Sequence, residues 1–197
     1  MNETTILILA AGASTRMGQS KQLLPWKNKT LLTHAVDTAI QSSPFRVVVV
    51  LGADAQAHRQ SLATLPIDIV TNETWRKGMG SSLKTGLRFI EERYPHLRGT
   101  VVMVCDQPFI TSSHIQALAQ RQAETKKEMV ATRYAGILGV PAYFEKSVWP
   151  AIYQLGDEEG ARKLLADNAE KTAFVSFEEA KVDLDTPADY INFTTPK

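Results

Sequence analysis

The stretch Leu9 to Lys21, Leu-Ala-Ala-Gly-Ala-Ser-Thr-Arg-Met-Gly-Gln-Ser-Lys, joins small side chains to two cations. Small residues let backbone N–H groups approach an anion, and Arg16 and Lys21 can meet its charge, so this is a candidate phosphate cradle. Between Thr4 and Val36 there is no Asp or Glu, while Arg16, Lys21, Lys27 and Lys29 all fall there. A positive local field and a polyanionic guest are expected. The spacing Gly12, Gly18, Lys21 does not match G-x-x-x-x-G-K-[ST], and no glycine stands two positions after Gly12 as G-x-G-x-x-G demands. ATPase and dehydrogenase readings weaken accordingly.

Two separated carboxylates follow apolar runs: Asp106 in Val104-Cys-Asp-Gln-Pro108, and Asp185 in Val182-Asp-Leu-Asp-Thr-Pro187. Together they suit Mg²⁺, or Mn²⁺ in its place, because such an ion takes a few carboxylate oxygens plus water and substrate phosphate. Asp183 competes for the second position, and the plainer roles are an Asx turn at Asp106 and a solvated residue at Asp185. The lone cysteine, Cys105, has no histidine placed by motif to activate it and is expected to pack in the core. The four histidines, His34, His58, His96 and His114, show no metal-ligand spacing, and surface or helix-face roles are expected.

These residues need a scaffold. Thr4 to Leu9, Phe45 to Leu51, Ile67 to Val70 and Thr100 to Cys105 are short, apolar and rich in β-branching, as in strands buried on both faces of a parallel sheet. Leu31, Leu32, Ala35, Val36 and Ala39 recur at helical spacing, as do Leu83, Leu87 and Ile90 after a Gly78-Met-Gly-Ser-Ser turn. Strand and helix alternate, which predicts an α/β fold with a mostly parallel sheet and helices on both faces. Ligands of such sheets bind beyond the carboxyl ends of the strands, where the Gly12 loop and Asp106 fall. Thr111 and Ser112 cap a further helix, and Met129 to Thr132 forms a strand. Gly136 to Phe144 is a loop feeding an antiparallel strand, before helices at 146–154 and 160–167 and a strand at 172–177. Thr186-Pro187-Ala-Asp189 opens a terminal helix.

With 197 residues, 44% hydrophobic and 22% charged, the chain supports one domain spanning residues 1–197. A net charge of +1 is too balanced for a dedicated nucleic-acid surface. One cysteine precludes an internal disulfide, in keeping with a reducing, cytoplasmic setting. No apolar run approaches the ~20 residues of a spanning helix, so no membrane role is expected.

At this point the chain resembles the MobA-like nucleotidyltransferases, and within them the molybdenum cofactor cytidylyltransferases. Leu9-Ala-Ala-Gly12 with Ser14, Arg16-Met-Gly18 and Lys21 is similar to the family's nucleotide block. Asn72-Glu-Thr-Trp75 with Gly78-Met79, Ser82-Leu83 and Gly86-Leu87 resembles its second block, and Cys105-Asp-Gln-Pro-Phe109 its third. Gly139-Val-Pro141 with Phe144, Gly156-Asp157 with Gly160-Ala-Arg162, and Asp183-Leu-Asp-Thr-Pro-Ala-Asp-Tyr190 follow in order.

The resemblance implies a Rossmann-like domain of the GT-A type that binds a nucleotide through Leu9, Ala10, Ala11, Gly12, Arg16, Lys21, Asn72 and Ser82. It places Arg16 on the outer phosphates, Lys21 nearer the α-phosphate, and Mg²⁺ on Asp106 and Asp185. Gly139, Pro141 and Arg162 would face an acceptor. Arg16, Lys21 and Asp106 would be catalytic. Ala11, where users of GTP carry glycine, leans toward CTP. The implied reaction moves CMP from CTP to the terminal phosphate of molybdopterin with release of pyrophosphate, the product passing to a molybdoenzyme or its chaperone. Val140 departs from the usual His or Asn, which keeps a sugar-phosphate acceptor in view beside a GTP-using enzyme and a non-catalytic nucleotide-binding module.

Overall fold

The computed structural model describes residues 4–42 and 45–194; the ends of the expected 1–197 domain lie outside them. Strand β1 (Thr4–Ala10) sets the architecture, because its side chains alternate between two apolar layers. Ile6, Ile8 and Ala10 pack on one face, Leu7 and Leu9 on the other. The chain continues through a short hairpin, β2 (Pro25–Trp26) and β3 (Lys29–Thr30), into helix α1 (Leu31–Gln41). Next come β4 (Arg46–Leu51), α2 (Ala55–Ser61) and β5 (Asp68–Thr71), then α3 (Met79–Arg93), β6 (Gly99–Val104) and α4 (Ser112–Thr125). The antiparallel pair β7 (Met129–Tyr134) and β8 (Ile137–Glu145) follows. Helices α5 (Trp149–Gln154) and α6 (Ala161–Asp167), strand β9 (Ala173–Ser176) and helix α7 (Pro187–Thr194) complete it.

The main sheet runs β5-β4-β1-β6-β8-β7-β9. Its pairings are parallel except those that β8 makes with β6 and β7. Leu32, Val36 and Ala39 of α1 and Ile115 and Leu118 of α4 cover the Ile6 face. Leu83, Leu87 and Ile90 of α3, with Trp149, Ile152, Leu164 and Leu165, cover the Leu7 face. The expected mostly parallel α/β sheet, with helices on both faces, is what forms.

Four local differences matter. The expected Gly78-to-Ser82 turn is largely the first turn of α3, which starts at Met79. A Cβ on Gly80 would collide with the carbonyls of Gly156 and Glu159, so glycine lets that turn seat against the 156–159 loop. The expected loop at Gly136 is β-structure from Ile137, with a register shift between Ala131 and Thr132. That irregularity accommodates Pro141, which has no N–H for a ladder. The expected strand at 172–177 shortens to β9. Helix α2 was absent from the sequence reading, since Ala-Gln-Ala-His-Arg-Gln-Ser carries no apolar stripe.

A third cluster, Met17, Leu24, Trp26, Leu31 and Leu184, lies apart from the two layers. Leu184 is fully buried, and burying one leucine contributes roughly 1.5–3 kcal/mol, enough to fasten the 182–190 segment beneath the first loop. The chain's end is thereby brought to its beginning. At α7, Thr186 and Asp189 exchange side-chain and backbone hydrogen bonds, the expected N-terminal arrangement.

Candidate active site

At the carboxyl ends of β1 and β6 a cleft of about 360 Å³ opens, lined by Leu9 to Ala13, Thr15, Lys21, Gln22, Trp75, Arg76, Gly78, Met79, Ser82 and Val104 to Asp106. Seven expected residues therefore share one wall: Leu9, Ala10, Ala11, Gly12, Lys21, Ser82 and Asp106.

The loop after β1 is shaped by a buried amide. Gln22 donates from Nε2 to the carbonyls of Gly12 at 2.7 Å and Ala10 at 3.3 Å, and its Oε1 accepts from the hydroxyls of Ser14 and Ser20. Ser14 and Gly18 take left-handed backbone, which curls the chain around Thr15–Met17. Behind the loop, Gly52 leaves room for Ala11: a Cβ there would stand 2.7 Å from the Ala11 carbonyl oxygen and from Trp75 Cβ.

Lys21 reaches across the mouth of the cleft to Asp106 and, at 2.8 Å, to Asp185 Oδ1. Arg16, whose side chain is 71% exposed, holds the other Asp185 oxygen at 2.8 Å. The register comes from the backbone, because the Leu184 N–H donates to the Asp106 carbonyl at 3.0 Å. Burial opposes the charge on Lys21, but the Asp106 and Asp185 carboxylates outweigh it and raise its pKa. Burial likewise opposes the Asp185 carboxylate, yet Lys21 and Arg16 hold it below the usual range.

The expected positive field is reduced by ion pairing. Carboxylates distant in sequence neutralise Lys21 and Arg16, and Asp37 pairs with Lys29.

The donors suit a divalent cation. Asp106 Oδ1 is buried without a hydrogen-bond partner, and an ammonium already bridges the two carboxylates where a cation would be attracted. Among the described residues no group of three or more His, Cys, Asp or Glu is assembled for a metal, so two carboxylates would share it with substrate oxygens. Asp183 keeps an exposed surface. The protein crowding its carboxyl, then the charges of Asp106 and Asp185, push it up to about 6, a shift that solvent screening tempers.

Other expected residues lie outside the wall. Asn72 is buried behind it, donating to Ser81 Oγ at 2.8 Å and Ser82 Oγ at 3.0 Å, so it orients Ser82. Gly139 is buried against Tyr134, whose hydroxyl occupies the space a Cβ would need. The Pro141 carbonyl accepts from Thr132 Oγ1. Arg162 is exposed on α6. Of these three only Arg162 offers a charged group to solvent. Cys105 is buried, and burial followed by the Asp106 charge pushes its thiol up to about 12, consistent with a packing role. His34, His58 and His114 lie on helices, but His58 and His114 are buried.

Gln22, Trp75, Arg76 and Met79 were missed as wall residues. Trp75 and Arg76 follow β5 at the same sheet end, which is the signal that points to them.

A parallel sheet carrying a glycine loop, a lysine and two carboxylates at one end is the arrangement of an enzyme that handles nucleotide phosphates. Residues 6–172 match the MobA-like NTP transferase domain family, and the chain belongs to that family of nucleotidyltransferases. Purine catabolism protein PucB of Bacillus subtilis (strain 168) is 30% identical, covering 93% of this chain and 92% of its own. The molybdenum cofactor cytidylyltransferase of Escherichia coli (strain K12) is 25% identical over 97% of this chain and 95% of its own. A shorter match, 36% identical over 58% of this chain and 54% of the relative, is to the nicotine blue oxidoreductase of Paenarthrobacter nicotinovorans. Among solved structures, Rv0371c of Mycobacterium tuberculosis H37Rv superposes with a TM-score of 0.84 at 28% identity, covering 97% of this chain and 96% of that one. Its complex with manganese gives 0.81 at 27% identity, covering 97% of each chain.

Proposed function

We propose that this chain, as one cytoplasmic domain over residues 1–197, transfers CMP from CTP to the terminal phosphate of a molybdopterin-type acceptor. The observation that carries the reading is the meeting of Lys21, Asp106 and Asp185 at the mouth of a cleft walled by the Gly12 loop. Near full-length similarity to a molybdenum cofactor cytidylyltransferase supports the acceptor class.

The acceptor phosphate is already ionised near neutral pH and needs no general base. Its oxygen attacks the α-phosphorus of CTP in line. A new P–O bond forms as the bond to the bridging oxygen of pyrophosphate breaks. Lys21 neutralises charge on the transferring group, Arg16 that on the leaving pyrophosphate, and the Gly12 loop holds the phosphates, so the rate comes from positioning and electrostatics. Mg²⁺, or Mn²⁺ as in the Rv0371c complex, would be held by Asp106 and Asp185 and would supply further positive charge to the phosphate oxygens. Ser82, aimed by Asn72, and the backbone at Ala10 and Ala11 would face the base and ribose; Gly139, Pro141 and Arg162 would shape the acceptor side.

A second reading keeps the nucleotide half and changes the acceptor to a sugar phosphate; Val140 is the residue that favours it. The test is pyrophosphate release from CTP, with and without a molybdopterin-type acceptor and with EDTA. Release that needs both acceptor and divalent metal is expected. Release supported only by a sugar phosphate would select the second reading, and no release with either would reject CTP as the donor.

A further inference from the structure

His58 stands in the middle of α2, fully buried, on a helix whose other side chains are mostly polar and solvent-facing. Its Nε2 lies 2.7 Å from Ser20 Oγ, and its Nδ1 is buried with no hydrogen-bond partner. Ser20 Oγ in turn donates to Gln22 Oε1 at 3.1 Å. That donation fixes the direction of the chain. The imidazole carries its proton on Nε2 and gives it to Ser20, Ser20 gives its own to Gln22, and Gln22 gives two to the carbonyls of Gly12 and Ala10. Aligned donors of this kind polarise one another and narrow the positions the loop can take.

The segment that carries His58 grips the same loop at a second place, where Ala53 N–H donates to the Ala11 carbonyl at 3.0 Å. The loop is thus held at both of its ends, from the β4–α2 connection and from α2.

A buried imidazole with one unmet nitrogen is a poor way to fill a core, since a leucine would occupy the space without an unpaired polar atom. Stability alone does not account for it. We propose that His58 is a positioning residue for the nucleotide loop, acting through Ser20 and Gln22 to hold the Gly12 backbone in the shape that receives phosphate. This rests on the reading of the cleft as a nucleotide site.

The test uses the full chain with His58→Leu, His58→Gln and Ser20→Ala, reading two quantities: the Kd for CTP and for inorganic pyrophosphate by calorimetry, and the melting temperature without ligand. The expected result for His58→Leu is a Kd at least about tenfold weaker for both probes, with a melting temperature equal to or above that of the parent. His58→Gln, whose amide nitrogen can reach Ser20, should stay within about threefold of the parent. Ser20→Ala should weaken binding as His58→Leu does, and the double variant should lose little more. Parent-like affinity in both His58→Leu and Ser20→Ala overturns the proposal, as does a loss of affinity that only follows a fall in melting temperature. If the parent chain itself binds neither CTP nor pyrophosphate, the nucleotide reading fails and the positioning role fails with it.

Discussion

The two sides of the candidate active site are built on different principles. The nucleotide side is a turn of small residues whose backbone is shaped by Gln22, with charges assembled from residues 16, 21, 106 and 185. The proposed acceptor side joins a packed strand, where Gly139 seats the Tyr134 ring and Pro141 is tied to Thr132, to Arg162 of α6, the one of the three that extends a charge into solvent. On the first side the charges of Lys21, Asp106 and Asp185 meet largely shielded from solvent, and only Arg16 is well exposed. On the second, Gly139 and Pro141 are engaged in packing and backbone contacts. Substitutions among the charges at the cleft and at Arg162 should accordingly strike activity, and those in the packed strand around Gly139 should strike stability.

The largest effect is expected at Asp106. Asp106→Asn keeps the fold but exchanges an anionic donor for an amide, and turnover should fall at least about 100-fold with a weakened metal titration. Asp183→Asn and Asp185→Asn, measured alongside, identify the second ligand; Asp185, already tied to Lys21 and Arg16, should show the larger loss. Unchanged activity and metal response in Asp106→Asn would remove it from the site.

Lys21→Ala comes next and sharpens the comparison, because this cation also balances two carboxylates in the resting protein. Beyond losing turnover, the variant should be destabilised by about 1–3 kcal/mol in EDTA, with Mg²⁺ or Mn²⁺ restoring part of that loss. Urea unfolding with and without metal measures both. Equal stability in EDTA would mean that Lys21 does not balance the pair.

On the acceptor side, Gly139→Ala pushes a methyl group into the Tyr134 hydroxyl and should cost about 1–3 kcal/mol of stability while leaving the Kd for CTP near its parent value. Loss of CTP affinity instead would break the division between the two walls. Arg162→Ala carries the smallest effect: a rise of about threefold to tenfold in the KM for acceptor, no change in that for CTP, and an unaltered melting temperature. Equal weakening toward both substrates would reject its assignment.

Much of the fold was legible because β1, β4, β6, α1 and α3 announce themselves by unbroken apolar runs or clear helical spacing. The Gly12 loop and Asp106 were legible for a related reason, since ligands of such sheets gather after the strands. What stayed hidden was set by tertiary contact. Nothing in Ala55–Ser61 predicts a helix, because the side chain it buries is His58 and the apolar Leu62 comes only at its C-terminal cap. The apparent surplus of positive charge from Thr4 to Val36 is halved once Asp106 and Asp185 arrive from far along the chain to pair with Lys21 and Arg16. Asn72, grouped with the nucleotide residues by resemblance, lies one layer back, hydrogen-bonded to Ser81 and Ser82, a distinction that spacing does not carry.

On the proposed function, the cleft joins CMP to a terminal phosphate. The most direct measurement is to incubate the protein with a molybdopterin-type acceptor, Mg²⁺ and an equimolar mixture of the four NTPs, and to weigh the product by mass spectrometry. The expected product is an adduct of acceptor plus CMP, formed with one equivalent of pyrophosphate and favoured over the GMP adduct by about tenfold or more. A predominant GMP adduct, or nucleotide consumed with no adduct to the acceptor, would contradict it.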